Sequence, residues 1–91
     1  MASDEDLAAI RAEIDEIDRQ LLMLINQRAD CARRVAEIKL ATSQSGDALF
    51  YRPEREAQIL RAIQQANPGP LPADFAARIF REIMSSCLAL E

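Results

Sequence analysis

Ninety-one residues leave room for one small domain and exclude a nucleotide-binding fold joined to a separate substrate domain. Fifteen acids against eleven bases give a formal charge of −4, which argues against generic nucleic-acid binding and makes any anion site a local one. With no His, and Cys only at 31 and 87, the chain excludes His-dependent acid/base or triad chemistry, a tetrahedral zinc centre of the usual kind and a disulfide scaffold.

The composition is that of a helical protein burying aliphatic side chains: 49% hydrophobic, but only 4% aromatic and with two Gly. Ten of the bases are Arg, whose planar fork suits carboxylates, and Lys39 is the single Lys. The start, Met1-Ala2-Ser3-Asp4-Glu5-Asp6, is acidic, and no apolar run approaches the ~18 residues of a membrane span. A cytoplasmic, reduced chain with neither a membrane nor a nucleic-acid partner is expected.

Two clusters of helix breakers, Thr42 to Asp47 and Asn67 to Pro72, divide the chain into three helices. The first is expected over about residues 4–41, with Ser3 and Asp6 spaced as a capping box. Its apolar stripe runs Leu7, Ile10, Ile14, Ile17, Leu21, Leu24, Arg28, Cys31, Val35, Ile38, alternating steps of three and four, a heptad pattern with one polar interruption. Such a helix is about 55 Å long, whereas a compact domain of this size is about 31 Å across. Much of the stripe therefore lacks cover from its own chain, and a two-fold dimer with antiparallel long helices is the simplest remedy. A kink near residues 26–30 would be the alternative, but neither Pro nor Gly is present there.

The loop 42–52 reads either as a lid over a ligand or as an ordinary surface connection. The second helix is expected over about 53–66, with Pro53 in the first turn, Glu54 and Glu56 favourably near the positive end of the dipole, and Ile59, Leu60, Ile63 and Ala66 inward. After a loop at 67–71 the third is expected over 72–91, burying Phe75, Ile79, Phe80, Ile83, Met84, Cys87 and Leu88 and running to the last residue.

Each helix carries a charge on or beside its inward face: Arg28 on the first, Glu56 on the second, Glu91 on the third. Any one alone reads as a register-setting polar position or a snorkelling stem. Together they point to a polar pocket inside a helical bundle, because a buried charge costs several kcal/mol unless a partner or ligand meets it. Lys39 lies eleven residues after Arg28, within about 20° of the same face and ~16 Å along the axis, so the two cations can straddle a small dianion. Lys39 equally suits the negative end of the first helix dipole. Arg11 shares the heptad position of Lys39 but stands ~42 Å away in one straight chain. In an antiparallel dimer with its axis near residue 25, it would fall beside the other subunit's Lys39; otherwise it is an ordinary exposed arginine.

Ile10-Arg11-Ala12-Glu13-Ile14-Asp15, Ile17-Asp18-Arg19-Gln20-Leu21-Leu22, Arg28, Val35-Ala36-Glu37-Ile38-Lys39, Phe50-Tyr51-Arg52-Pro53-Glu54-Arg55-Glu56 and Phe80-Arg81-Glu82-Ile83-Met84-Ser85 together resemble the all-helical chorismate mutases. The likeness spans about Leu7 to Glu91 and is nearest to the N-terminal mutase domain of bifunctional chorismate mutase/prephenate dehydratase proteins. It implies an all-α, intertwined homodimeric bundle acting as an isomerase: chorismate becomes prephenate, for phenylalanine and tyrosine biosynthesis, with no cofactor or metal. A helix reaching the last residue agrees with a domain cut from a longer chain; whether a prephenate dehydratase domain is fused to it there is left open by the sequence.

Carried over by position, the resemblance implies that Arg28 and an Arg11 donated across the dimer hold the two carboxylates of chorismate. Lys39 would bind a carboxylate and the ether oxygen, Glu56 the ring hydroxyl, and Arg55 would support Glu56. Three positions depart from the family pattern. Arg52 replaces an acid near the ring hydroxyl. Cys87 replaces a serine that touches a carboxylate, with Ser86 pointing about 100° away. Glu91 replaces a glutamine that donates to the ether oxygen, and only a protonated carboxyl can donate, so activity is expected to fall as pH rises. Arg28, Lys39 and Glu91 are thus the catalytic candidates; Arg11, Arg52, Arg55, Glu56 and Cys87 complete the substrate-contact set. Two rival functions differ in their assays: an isochorismate-pyruvate lyase of the same fold would release pyruvate from isochorismate, and a non-enzymatic dimerisation module would turn over neither compound.

Overall fold

A computed structural model describes residues 3–41 and 53–91. The loop 42–52, with Arg52 in it, lies outside the described residues. The described residues form three helices and no strand: α1 (Asp4–Ala41), α2 (Pro53–Ala66) and α3 (Ala73–Leu88).

α1 begins on a reciprocal cap. The backbone N–H of Asp6 donates to the Ser3 hydroxyl at 3.2 Å, and that of Ser3 donates to the Asp6 carboxylate at 3.1 Å, satisfying two N–H groups the helix start leaves open. Thirty-eight residues then follow without a break. Exposed i,i+3 pairs, Glu16 with Arg19 and Asp30 with Arg33, decorate the outer side. The Arg33 guanidinium, hydrogen-bonded to Asp30, holds that carboxyl below its usual range. Its contribution is present at neutral pH and lost as pH falls through that lowered value, and solvent screening keeps it small.

The helix makes the protomer a rod. Its extents are 62 × 23 × 16 Å and its radius of gyration is 17.5 Å, against about 12 Å for a compact chain of this length. Leu7, Ile10, Ile14, Ile17, Leu21, Leu24 and Ile38 are 45–64% exposed, and Ala32 alone of α1 is buried. From Leu21 to Ile25 the helix is apolar on every face, with Leu22 62% and Met23 63% exposed. A helix apolar all round is the kind found in interiors, so the chain presents a contiguous exposed apolar face.

Pro53 opens α2, where its missing N–H costs nothing, and Ile59, Leu60 and Ile63 are half-buried. The Asn67 side-chain amide donates to the Leu71 carbonyl at 2.6 Å across the turn to α3, and Gly69 sits at φ 75°. A Cβ at Gly69 meets nothing within 4 Å, so the strain of Gly69→Ala is purely that of left-handed backbone. That variant is expected to lose about 1 kcal/mol, read as a lower urea midpoint at unchanged slope.

α3 lies against both other helices, whereas the backbones of α1 and α2 stay apart. Its buried residues are Ala76, Ala77, Met84 and Cys87. Two expectations fail here. Phe75 and Ile79, read as inward, are 45% and 49% exposed. They lie roughly 100° or more around the helix from the centre of its covered face, so the apolar sector is wider than α1 and α2 can cover. The Arg78 guanidinium caps the Phe75 ring at 5.2 Å from its centroid.

α3 also stops at Leu88 instead of running to residue 91. The N–H groups of Leu90 and Glu91 donate to the carbonyls of Cys87 and Leu88, at 2.9 and 3.1 Å, tightening the last turn to an i→i+3 pattern.

Candidate functional site

Because α3 keeps α1 and α2 apart, a cavity of about 440 Å³ opens between them. α1 lines it with Arg28, Cys31, Ala32, Val35 and Lys39, a set that recurs at helical spacing and so shares one face. α2 contributes Arg55, Glu56 and Ile59 from its first two turns; α3 contributes Met84 and Leu88, with Glu91 just past its end. Arg28, Lys39, Glu56 and Glu91 are half-buried and Arg55 is exposed. Three cations thus oppose two acids around an apolar wall, a lining that suits a small anion with an apolar ring. Net positive charge draws carboxylates in, and partial burial strengthens each charge-assisted hydrogen bond.

Of the residues singled out from sequence, the structure brings Arg28, Lys39, Arg55, Glu56 and Glu91 to this one cavity. Arg11 stands on α1 about 26 Å before Arg28 and does not reach the cavity of its own chain. Cys87 is 2% exposed and is turned into the helix contact, away from the cavity lining.

Sequence reasoning passed over the apolar wall. Cys31 and Val35 were legible only as stripe positions, and Ile59, Met84 and Leu88 only as inward faces. The usable signal was spacing: Cys31, Ala32 and Val35 fall three, four and seven residues after Arg28 and must share its face. No group of three or more His, Cys, Asp or Glu among the described residues is placed to hold a metal ion. No helix among them is long and apolar enough to cross a membrane.

A sequence model of the family described as chorismate mutase type II matches residues 10–91. The bifunctional chorismate mutase/prephenate dehydratase of Pseudomonas aeruginosa is 55% identical over 100% of this chain. Its counterpart in Neisseria gonorrhoeae is 49% identical over 97%. The chain spans 25% and 23% of those two proteins, about a quarter of their length. The solved Form II structure of chorismate mutase from Thermus thermophilus superimposes with a TM-score of 0.83 at 27% identity, covering 92% of this chain and 91% of that one.

Proposed function

Since the chain belongs to the type II chorismate mutase family, we propose that its cavity binds chorismate and converts it to prephenate. The observation that carries this reading is the meeting of Arg28, Lys39, Arg55, Glu56 and Glu91, from three separate helices, around one cavity. The reaction is a unimolecular rearrangement, so it needs neither nucleophile nor proton transfer. It needs the folded diaxial conformer held in place and donors aimed at the ether oxygen, where negative charge develops. Lys39 is the donor to that oxygen, with Glu91 at the cavity edge beside it. Arg28 holds one carboxylate, and Glu56 accepts from the ring hydroxyl with Arg55 beside it.

Among the described residues, Arg28 is then taken up by the first carboxylate, Arg55 by Glu56 and Lys39 by the ether oxygen, so the second carboxylate calls for a further cation. We assign it to the partner subunit's Arg11 in an intertwined antiparallel homodimer. Supporting this, the belt that is apolar on every face, Leu21 to Ile25, lies at the midpoint between residues 11 and 39, where a two-fold axis bringing Arg11 to Lys39 of the other chain would have to pass. Sedimentation equilibrium is expected to return twice the chain mass, and Ile14→Asp, which places a charge in the stripe, is expected to yield monomers without activity. A wild-type chain of single mass would overturn the dimer.

The two relatives' names pair the mutase with a prephenate dehydratase. We infer the same fusion for the full-length protein, in which the second domain consumes the product of the first. Free thiols at Cys31 and Cys87 agree with a reducing cytoplasm.

The test of the activity is loss of chorismate absorbance with appearance of prephenate. Pyruvate release from isochorismate with no turnover of chorismate would replace the reading with the lyase, and no turnover of either compound would leave a dimerisation module.

A further inference from the structure

Two residues belong both to the buried core and to the cavity wall: Ala32 on α1 and Met84 on α3, each 6% exposed. Ala32 is the only buried residue of α1, and Met84 is the one large side chain in the buried set among the described residues, so part of the cavity wall is also core. Val35, Ile59 and Leu88 continue the apolar wall between the charged groups.

We infer that Met84, buried and at the cavity wall, sets the depth of the cavity and thereby excludes the extended, unreactive conformer of chorismate. This rests on the mutase reading above. The cations cannot make that selection alone. Each is a long, flexible side chain that follows a carboxylate wherever it goes, whereas a wall side chain that is also core is held by close packing and does not retreat. A floor one side chain deeper admits the extended conformer with its carboxylates still paired. Such a molecule is bound but cannot react.

Non-productive binding has a kinetic signature that loss of a contact lacks. An unreactive mode that competes for the same site lowers kcat and KM by the same factor and leaves kcat/KM unchanged, since only the partition of bound substrate has altered. A floor that merely contributed affinity would raise KM on truncation, and one that merely held the fold would lower kcat with KM unmoved.

The experiment is steady-state kinetics of Met84→Ala and Met84→Val in the intact dimer, with helicity and dimer mass measured alongside. Both constants are expected to fall together, by about three- to tenfold for Ala and less for Val, as the reactive fraction of bound substrate drops. Met84→Leu, close in volume, is expected to restore both. Should Met84→Ala lose helicity, the smaller truncation in Met84→Val decides.

A raised KM, or a lower kcat at constant KM, overturns the inference. The mutase reading fails separately, through a wild-type chain that does not turn over chorismate.

Discussion

Arg28→Ala is expected to lose mutase activity by about a thousandfold in kcat/KM, a loss of ~4 kcal/mol, while keeping its helicity and its dimer. The substitution leaves a substrate carboxylate desolvated and without its cation, which is dearer than losing an exposed charge pair. Arg11→Ala is expected to do the same, although Arg11 stands some 26 Å along α1 from the cavity of its own chain. Mixing the two variants distinguishes this arrangement from any single-chain site. In a mixed dimer, one cavity combines the intact Arg28 of one protomer with the intact Arg11 of the other; the second cavity lacks both. Random exchange makes half the dimers mixed, each with one working site, so two inactive preparations are expected to recover about one quarter of wild-type activity. No recovery after verified exchange, with both variants folded, would refute the donation of Arg11 across the interface.

The second large effect concerns the ether oxygen. Lys39→Ala removes a donor to the atom on which charge develops, and kcat is expected to fall by about a hundred- to a thousandfold. Glu91→Gln, which puts a permanent amide donor in the same place, is expected to raise kcat above wild type, and a kcat no higher than wild type would remove Glu91 from the reaction. The tightened turn after Leu88 is what leaves this residue half-buried at the cavity edge.

Periodicity carried much of this into view. Ser3 and Asp6 announced the start of α1 by spacing alone, and the same spacing is closed by hydrogen bonds. Arg28, Glu56 and Glu91 were visible as charges on apolar faces, which angle along a helix suffices to show. What angle cannot show is how much of an apolar sector the rest of the chain covers. That is why Phe75 and Ile79 read as core and are exposed, whereas Met84 and Cys87, also read as inward, are buried. The end of α3 was illegible for a different reason: Ala89 and Leu90 are both good helix formers, and the i→i+3 bonds that tighten the chain there leave no mark in composition. The apolar floor of the cavity was hidden because Ala32 and Met84 look like any other core pair until the gap between α1 and α2 is seen.

The unbroken run of α1 has a further consequence for how this chain can vary. One inserted or deleted residue between Arg11 and Arg28 turns one end against the other by about 100° and moves it ~1.5 Å, which in the proposed dimer misaligns both active centres at once. In that dimer α1 acts as a fixed gauge between two reaction chambers, free to change its outward letters but not its count.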